Sequence, residues 1–372
     1  MRVAIARTMP EFSMDVYAEG LVSGLRAVRP DWEIVELFPQ PIDRKSRSSW
    51  VRARKYYERF WNFPRCVTQQ NVDIVHIVEA AEAHMVYWLQ QKAKRTVVTC
   101  HDLINYFYSD NRVASVQLPL ISHQMWMHGI RGMRYADRVV AVSAATAKDT
   151  VQILNLAPDR VSVVHNAVEA IFQPLPENQV QAIRQQYNLQ PDTFCLLNVG
   201  SDHRRKNLLN ILQSLAILKQ QGLDFVFCKI GADFTAEQKE LMQKLQLEEV
   251  VRYWGKPERT NLVELYNVAD VLVSPSLFEG FGMTLLEAMA CGTPVITSNV
   301  SSMPEVVEES GLLVDPNSPG AIADAVLRLC KNPPFYADLV EKGFARVKPF
   351  TWQNTAEQVA TIYEQILHPT KG

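Results

Sequence analysis

Glycine-rich dinucleotide turns are missing from this chain. Neither the first strand of its first half nor that of its second half is followed by G-x-G-x-x-G. This argues against a nicotinamide or flavin enzyme, because a cofactor pyrophosphate approaches such a turn only where side chains are absent. There is no C-x-x-C, and the six cysteines (66, 100, 195, 228, 291 and 330) show no paired spacing. Most lie in apolar runs, so buried, reduced thiols in a cytoplasmic protein are expected. No Asp-x-Asp follows a strand, and no His and carboxylate cluster has metal-ligand spacing, so no metal or other cofactor is expected. No apolar run approaches the roughly 20 residues of a membrane span. The first eight residues carry only a short apolar run, without a signal peptide's apolar core or cleavage site. A net charge of −2 gives no electrostatic case for nucleic acid. Solenoid repeats and low-complexity tracts are absent as well.

What remains is a chain of 372 residues, 47% apolar and 21% charged, whose size suits two globular domains. Short apolar runs rich in Val and Ile predict strands at Val3–Ala6, Glu33–Phe38, Asp73–Val78, Thr96–Cys100, Arg138–Val142 and Arg160–Val164. In the second half they predict Phe194–Val199, Asp224–Ile230, Val250–Trp254, Val271–Ser274, Pro294–Thr297 and Leu312–Val314. Continuous apolar runs are what parallel strands buried on both faces look like. The segments between them, such as Asn207–Gln220 and Thr235–Leu245, keep apolar residues at helical spacing. The fold class is therefore α/β, with two Rossmann-like doubly wound domains. The joint lies in Phe172–Thr193 around Pro174, Pro176 and Pro191, giving domains 1–180 and 181–348 and a closing segment 349–372 that holds a helix from Trp352 to Leu367.

Three constellations carry chemistry. The first runs from Ser274 to Pro294, where Glu279 and Glu287 stand eight positions apart across Gly280 and Gly282. An apolar strand leads in, and a helical pattern from Met283 to Ala290 leads out. A helix N-terminus offers about four unpaired N–H groups and a partial positive charge. The Gly282–Leu285 amides are thus a candidate phosphate or sugar cradle, and the two carboxylates could grip hydroxyls at opposite ends of one ligand. The plainer alternative is a tight turn before a packing helix, with Glu279 solvated and Glu287 in a cap-like role. The second constellation is Gly200 through Asn207, at the end of the second half's first strand. There Arg205 and Lys206 are placed to meet a diphosphate, and Asn207 suits a helix N-cap. The third is His101-Asp102-Leu103, which ends an apolar strand and should face a cleft; His165-Asn166 ends another.

Phe278 through Val295 resembles the Glu-x₇-Glu signature of the retaining, GT-B fold glycosyltransferases of family four. Gly200 with Arg205, Lys206 and Asn207 is similar to that family's phosphate-binding turn, and His101-Asp102-Leu103, Leu265-Tyr266, Ala269-Asp270 and Phe350-Thr-Trp352 follow in the family's order. The resemblance implies two domains facing each other across a cleft, with the last helix crossing back to the first. It implies that Glu279 binds donor-sugar hydroxyls and Glu287 the ribose. Gly280, Phe281 and Gly282 would contact the sugar through backbone, and Met283, Thr284 and Leu285 the sugar or phosphates. Arg205 and Lys206 would hold the pyrophosphate as it leaves, His101 would sit near the sugar on the acceptor side, and Trp254, Gly255 and Lys256 would line the base pocket. Breaking the sugar–phosphate bond leaves negative charge that fixed cations can stabilise, so transfer without a metal is expected. Retention of configuration comes from the resemblance alone. The donor would be a nucleotide sugar, with a lean to GDP-mannose. The acceptor would be a glycan, a lipid-linked saccharide or a small molecule. An epimerase or other enzyme on the same fold, or a non-catalytic sugar-nucleotide binder, are the alternatives.

The resemblance fades where acceptors are chosen. Many relatives have glycines after the first strand, and here the text is Arg7-Thr-Met-Pro-Glu-Phe-Ser-Met. A basic, aromatic stretch from Arg44 to Trp61 also stands out. On a helix it would put Trp50, Tyr57, Phe60 and Trp61 on one side and Arg52, Lys55 and Arg59 along much of the other. It could lie on an anionic membrane as a peripheral contact, or pack its aromatic side into the core.

Overall fold

The computed structural model describes residues 1–8, 13–43, 48–107 and 120–368. All twelve expected strands form, each within one residue of its expected ends. In the first sheet β1 (Arg2–Ala6), β2 (Glu33–Leu37), β3 (Ile74–Ile77), β4 (Arg95–Cys100), β5 (Arg138–Ala141) and β6 (Val161–Val163) lie in the order β2-β1-β3-β4-β5-β6. In the second, β7 (Phe194–Gly200), β8 (Phe225–Gly231), β9 (Val251–Tyr253), β10 (Val271–Ser274), β11 (Val295–Ser298) and β12 (Leu312–Val314) lie in the order β12-β11-β10-β7-β8-β9. Every pairing is parallel. Parallel neighbours need crossovers, which place helices on both faces and bury the strands.

The described chain divides into two compact units, residues 1–106, 120–167 and 350–368 in one and 168–349 in the other. The division falls after Ala167, where the sequence put it near residue 180. Helix Glu177–Gln186 belongs to the second unit, because Arg184 donates to the Val268 carbonyl (2.8 Å) and reaches Asp270 (3.4 Å).

In the second sheet the chain runs outward from β7 to β9, then returns to lay β10, β11 and β12 on the other side. The reversal falls between β7 and β10. Open parallel sheets bind ligands beyond the carboxyl ends of the strands at such a switch point. The loops after β7 and β10 are the two that carry Arg205, Lys206 and Glu279.

Helix Trp352–Leu367 belongs to the first unit, where Val359, Ile362 and Tyr363 join Ile5, Leu21 and Leu25 in one buried cluster. It lies against helix Ser13–Val28 at two glycines. A Cβ on Gly24 would stand 2.4 Å from the Trp352 carbonyl oxygen, and one on Gly20 would stand 2.1 Å from the Trp352 indole. Arg29 closes the contact with Glu357 (2.8 Å) and Glu364 (3.0 Å). Gly24→Ala therefore overpacks a backbone-to-backbone approach and is expected to destabilise by about 1–3 kcal/mol in urea unfolding. A loss below about 0.5 kcal/mol, the ordinary size of a surface change, would show that the helices are not held this closely.

Candidate active site

Two loops meet at the switch point. After β7 the chain makes a short 3₁₀ turn, Arg204–Lys206, and enters helix Leu208–Gln220. After β10 it runs through Glu279 to helix Met283–Ala290. The Leu277 N–H donates to the Arg205 carbonyl (2.7 Å), which ties one loop to the other. Arg205 Nη1 then meets Glu279 Oε2 at 2.7 Å, and Lys206 Nζ meets Glu279 Oε1 at 2.6 Å. The side chains of Glu279 and Lys206 are each 12% exposed, so this is a nearly buried triad of two cations and one anion. Burial alone would raise the Glu279 carboxyl, but the charges of Lys206 and Arg205 outweigh it and hold it down at about 2. The solvated-turn alternative for Glu279 is thereby set aside.

The sequence placed Asn207 as a helix N-cap, and it does hold that position, its carbonyl accepting from the Ile211 N–H (3.2 Å), but its side chain does not cap. Asn207 adopts a left-handed backbone (φ 61°). Its amide donates instead to the carbonyls of Pro275 (2.9 Å) and Pro316 (2.6 Å), stitching the loops after β7, β10 and β12.

The loop from Glu279 to Gly282 is held from behind. Ser302 Oγ donates to the Glu279 and Phe281 carbonyls (2.9 and 2.8 Å), and Ser301 Oγ donates to the Glu279 carbonyl (2.7 Å). Gly282 has φ 106°, and helix Met283–Ala290 has no side-chain N-cap among the described residues. The Leu285 N–H is taken by the Gly282 carbonyl (3.0 Å), so it drops out of the expected cradle. Amides of Gly282, Met283 and Thr284 make up the rest.

Glu287 is buried in that helix and accepts from the Tyr266 hydroxyl (2.8 Å). Burial pushes its carboxyl up, opposed by that bond and by the charges of Arg259 and Lys206. Further along, Trp254 packs on the Tyr187 ring at 4.7 Å, Lys256 is exposed, and the Gly255 carbonyl accepts from the Gly231 N–H (2.7 Å).

His101 belongs to the first unit, at the end of β4. Its Nε2 bonds the Val78 carbonyl (2.9 Å), which requires a proton there and leaves Nδ1 as the acceptor nitrogen. Tyr17 meets the ring edge-on at 4.7 Å. Burial lowers the imidazole to about 4, so it is neutral at neutral pH. The carbonyl of His165, after β6, accepts from Thr355 (2.9 Å).

Sequence reasoning missed Ser301, Ser302 and the role of Tyr266. A polar run at the carboxyl end of β11 pointed to the serines. The pairing of Tyr266 with Glu287 had no linear signal, since they come from different helices. Among the described residues, no group of three or more His, Cys, Asp or Glu is arranged to hold a metal ion.

A carboxyl held at about 2 against an ordinary 4.5 stabilises the fold fully above about pH 4.5, and that stabilisation is lost as pH falls toward 2. Glu279→Gln is thus expected to destabilise strongly at pH 7 and much less at pH 3 in urea unfolding. An equal effect at both would show that the triad is not ionic.

Two family models match the chain, "Glycosyl transferases group 1" over residues 179–346 and "Glycosyltransferase Family 4" over residues 15–170. Among curated proteins it is similar to O-antigen chain mannosyltransferase B of Escherichia coli, 27% identical over 286 residues, covering 75% of this chain and 72% of that one. It is also similar to the serotype-specific mannosyltransferase WbdA of Escherichia coli, 26% identical over 80% of this chain. It spans only 37% of WbdA's length. Among solved structures, sucrose-phosphate synthase from Thermosynechococcus elongatus superposes with a TM-score of 0.79 over 98% of both chains at 23% identity, which shows the fold. The paired Rossmann-like units are those of the GT-B fold, and the chain belongs to the group 1, family 4 glycosyltransferases.

Proposed function

We propose that this glycosyltransferase moves a hexose, mannose first among the candidates, from a nucleoside diphosphate sugar to a hydroxyl of a lipid-linked glycan, with retention and without a metal ion. The observation that carries this reading is the Arg205–Glu279–Lys206 triad at the switch point of the second sheet. Two cations sharing one carboxylate leave a net positive charge beside a helix N-terminus, which suits a departing diphosphate. As the bond from the anomeric carbon to the phosphate oxygen breaks, its electron pair goes to the diphosphate. Arg205 and Lys206 stabilise that charge, while the acceptor oxygen bonds the anomeric carbon and passes its proton to an oxygen of the departing diphosphate. Glu279 is left to bind sugar hydroxyls, Glu287 the ribose, the Gly280–Thr284 backbone the sugar and phosphates, and Trp254, Gly255 and Lys256 the base. His101, neutral and with Nδ1 as its acceptor nitrogen, is the first unit's candidate for a hydrogen bond to a substrate hydroxyl. The names of the two mannosyltransferases support mannose, and the family supports retention.

Peripheral membrane contact is part of the same reading. Helix Ser49–Tyr57 has no buried residue, Trp50 is 78% exposed, and Arg52 and Arg54 are exposed beside it. Tyr56, Tyr57 and Trp61 are exposed near it, and aromatic rings clustered among cations suit a headgroup interface. The expected register breaks, however, at a π-helical turn, Glu58–Asn62. Phe60 turns inward to His84 (4.5 Å), and Arg59 pairs with Glu82 (2.9 Å), so neither belongs to the outer face. Residues 44–47 of this stretch and 9–12 after β1 lie outside the described residues. No helix among the described residues is long and apolar enough to cross a membrane.

Incubation with a panel of nucleotide sugars and lipid extracts should release free nucleoside diphosphate, with GDP-mannose giving the fastest turnover, undiminished by EDTA. Release from no donor, or loss in EDTA reversed by a divalent ion, would overturn the corresponding part. Lys206→Ala and Glu279→Ala should each lower turnover at least about tenfold, and wild-type rates in both would refute the site. In co-sedimentation the protein should bind phosphatidylglycerol vesicles, and Trp50→Ala with Arg52→Glu and Arg54→Glu should not. Unchanged binding by that variant would sink the membrane contact.

A further inference from the structure

Lys229 is the one lysine among the fully buried side chains of the described residues, and it sits beneath the cationic turn. It comes from β8, next to β7 in the sheet. Its Nζ donates to the carbonyls of Gly200 (2.6 Å) and Ile230 (2.7 Å). A buried ammonium usually sits against a carboxylate, and here Nζ is held by two backbone carbonyls. Around it the loops after β7, β8 and β9 close on one another. The Ala232 N–H donates to the Gly200 carbonyl (3.1 Å), the Gly231 N–H to the Gly255 carbonyl (2.7 Å), and the Tyr253 hydroxyl to the Gly231 carbonyl (2.9 Å). The approach is so close that a Cβ on Gly231 would stand 2.2 Å from the Gly200 oxygen.

We infer that Lys229 is a positioning residue of the donor site. It fixes the Gly200 carbonyl that starts the Arg205 and Lys206 turn, and it lends a third positive charge from below to a bound diphosphate. This rests on the reading that the diphosphate binds at that turn. Lys229 itself touches no ligand and acts through the turn and its field.

The charge has a price that binding lifts. Burial first, and the like charge of Lys206 second, pull the Lys229 ammonium down to about 8, with Asp202 and Asp233 opposing them. The groups facing it are thus Lys206, Asp202 and Asp233, with the neutral Tyr253 hydroxyl on the neighbouring carbonyl. An arriving diphosphate adds negative charge and stabilises the ammonium. Near and above pH 8, binding therefore takes part of a proton from the buffer onto Nζ. Above about pH 8 the free protein has lost that proton, and affinity falls as pH rises.

The test is calorimetric binding of GDP, and in parallel UDP, from pH 7 to 9.5. Wild-type affinity should fall above pH 8. Lys229→Gln keeps donors for the two carbonyls and removes the charge. It should bind about threefold to tenfold more weakly at pH 7, show a flat profile, and converge with the wild type at pH 9.5, a one-unit pKa change being tenfold in affinity. Equal affinity of the two proteins at pH 7, or a profile for Lys229→Gln that still falls above pH 8, overturns the role of Lys229. If Lys206→Ala also leaves affinity unchanged, the donor-site reading fails instead. Should Lys229→Gln not fold, the wild type decides alone. Titration at pH 8.5 in buffers of different ionisation enthalpy should show uptake of part of a proton, and no uptake overturns the proposal.

Discussion

The second unit is organised around the repulsion between Arg205 and Lys206. Two cations on adjacent residues of a turn, both largely out of water, need an anion close by. Glu279 supplies it from a loop more than seventy residues away in sequence. The sheet makes this possible, because a reversal between β7 and β10 is the only place where those loops become neighbours. Asn207, bonded to Pro275 and Pro316, and Ser301 and Ser302, bonded to Glu279 and Phe281, fix the loops that carry the charges. The order of the strands and the position of one carboxylate are in this sense a single constraint.

Much of this could be read from sequence, for a physical reason. Buried parallel strands leave uninterrupted runs of Val and Ile, so all twelve strands were legible. Their connections at the carboxyl end then marked where polar residues gather, which singled out Arg205, Lys206, Glu279, Glu287 and His101 as candidates. Partnership was not legible. That Glu279 binds Arg205 and Lys206, or that Glu287 takes the Tyr266 hydroxyl, depends on which loops and helices adjoin, and no local pattern records it. Asn207 shows the same limit. Asparagine before a helix suits a cap, but a left-handed backbone turned its amide toward two carbonyls elsewhere. The basic aromatic stretch failed at a π-helical turn, which inserts a residue into the helical period and sends Phe60 and Arg59 inward. Lys229 reads as one polar residue in an apolar strand, and only the fold shows it beneath Gly200.

Glu279 faces a conflict that bears on how the donor is recognised. Glu279 pairs with both Arg205 and Lys206, and on the proposed function a diphosphate would compete for the same two cations. Were they to turn toward phosphate oxygens, a carboxylate 12% exposed would lose the charges that hold it ionised and would have little water to replace them. Hydroxyls of the donor sugar, each an O–H donor, can restore its bonds. A bare nucleoside diphosphate cannot. On the proposed function the diphosphate would supply affinity at Arg205 and Lys206, and the sugar would be selected by whether its hydroxyls satisfy the carboxylate that the diphosphate displaces. Under that reading the sugar would be recognised most strongly with the diphosphate in place, because only then would Glu279 need a new partner.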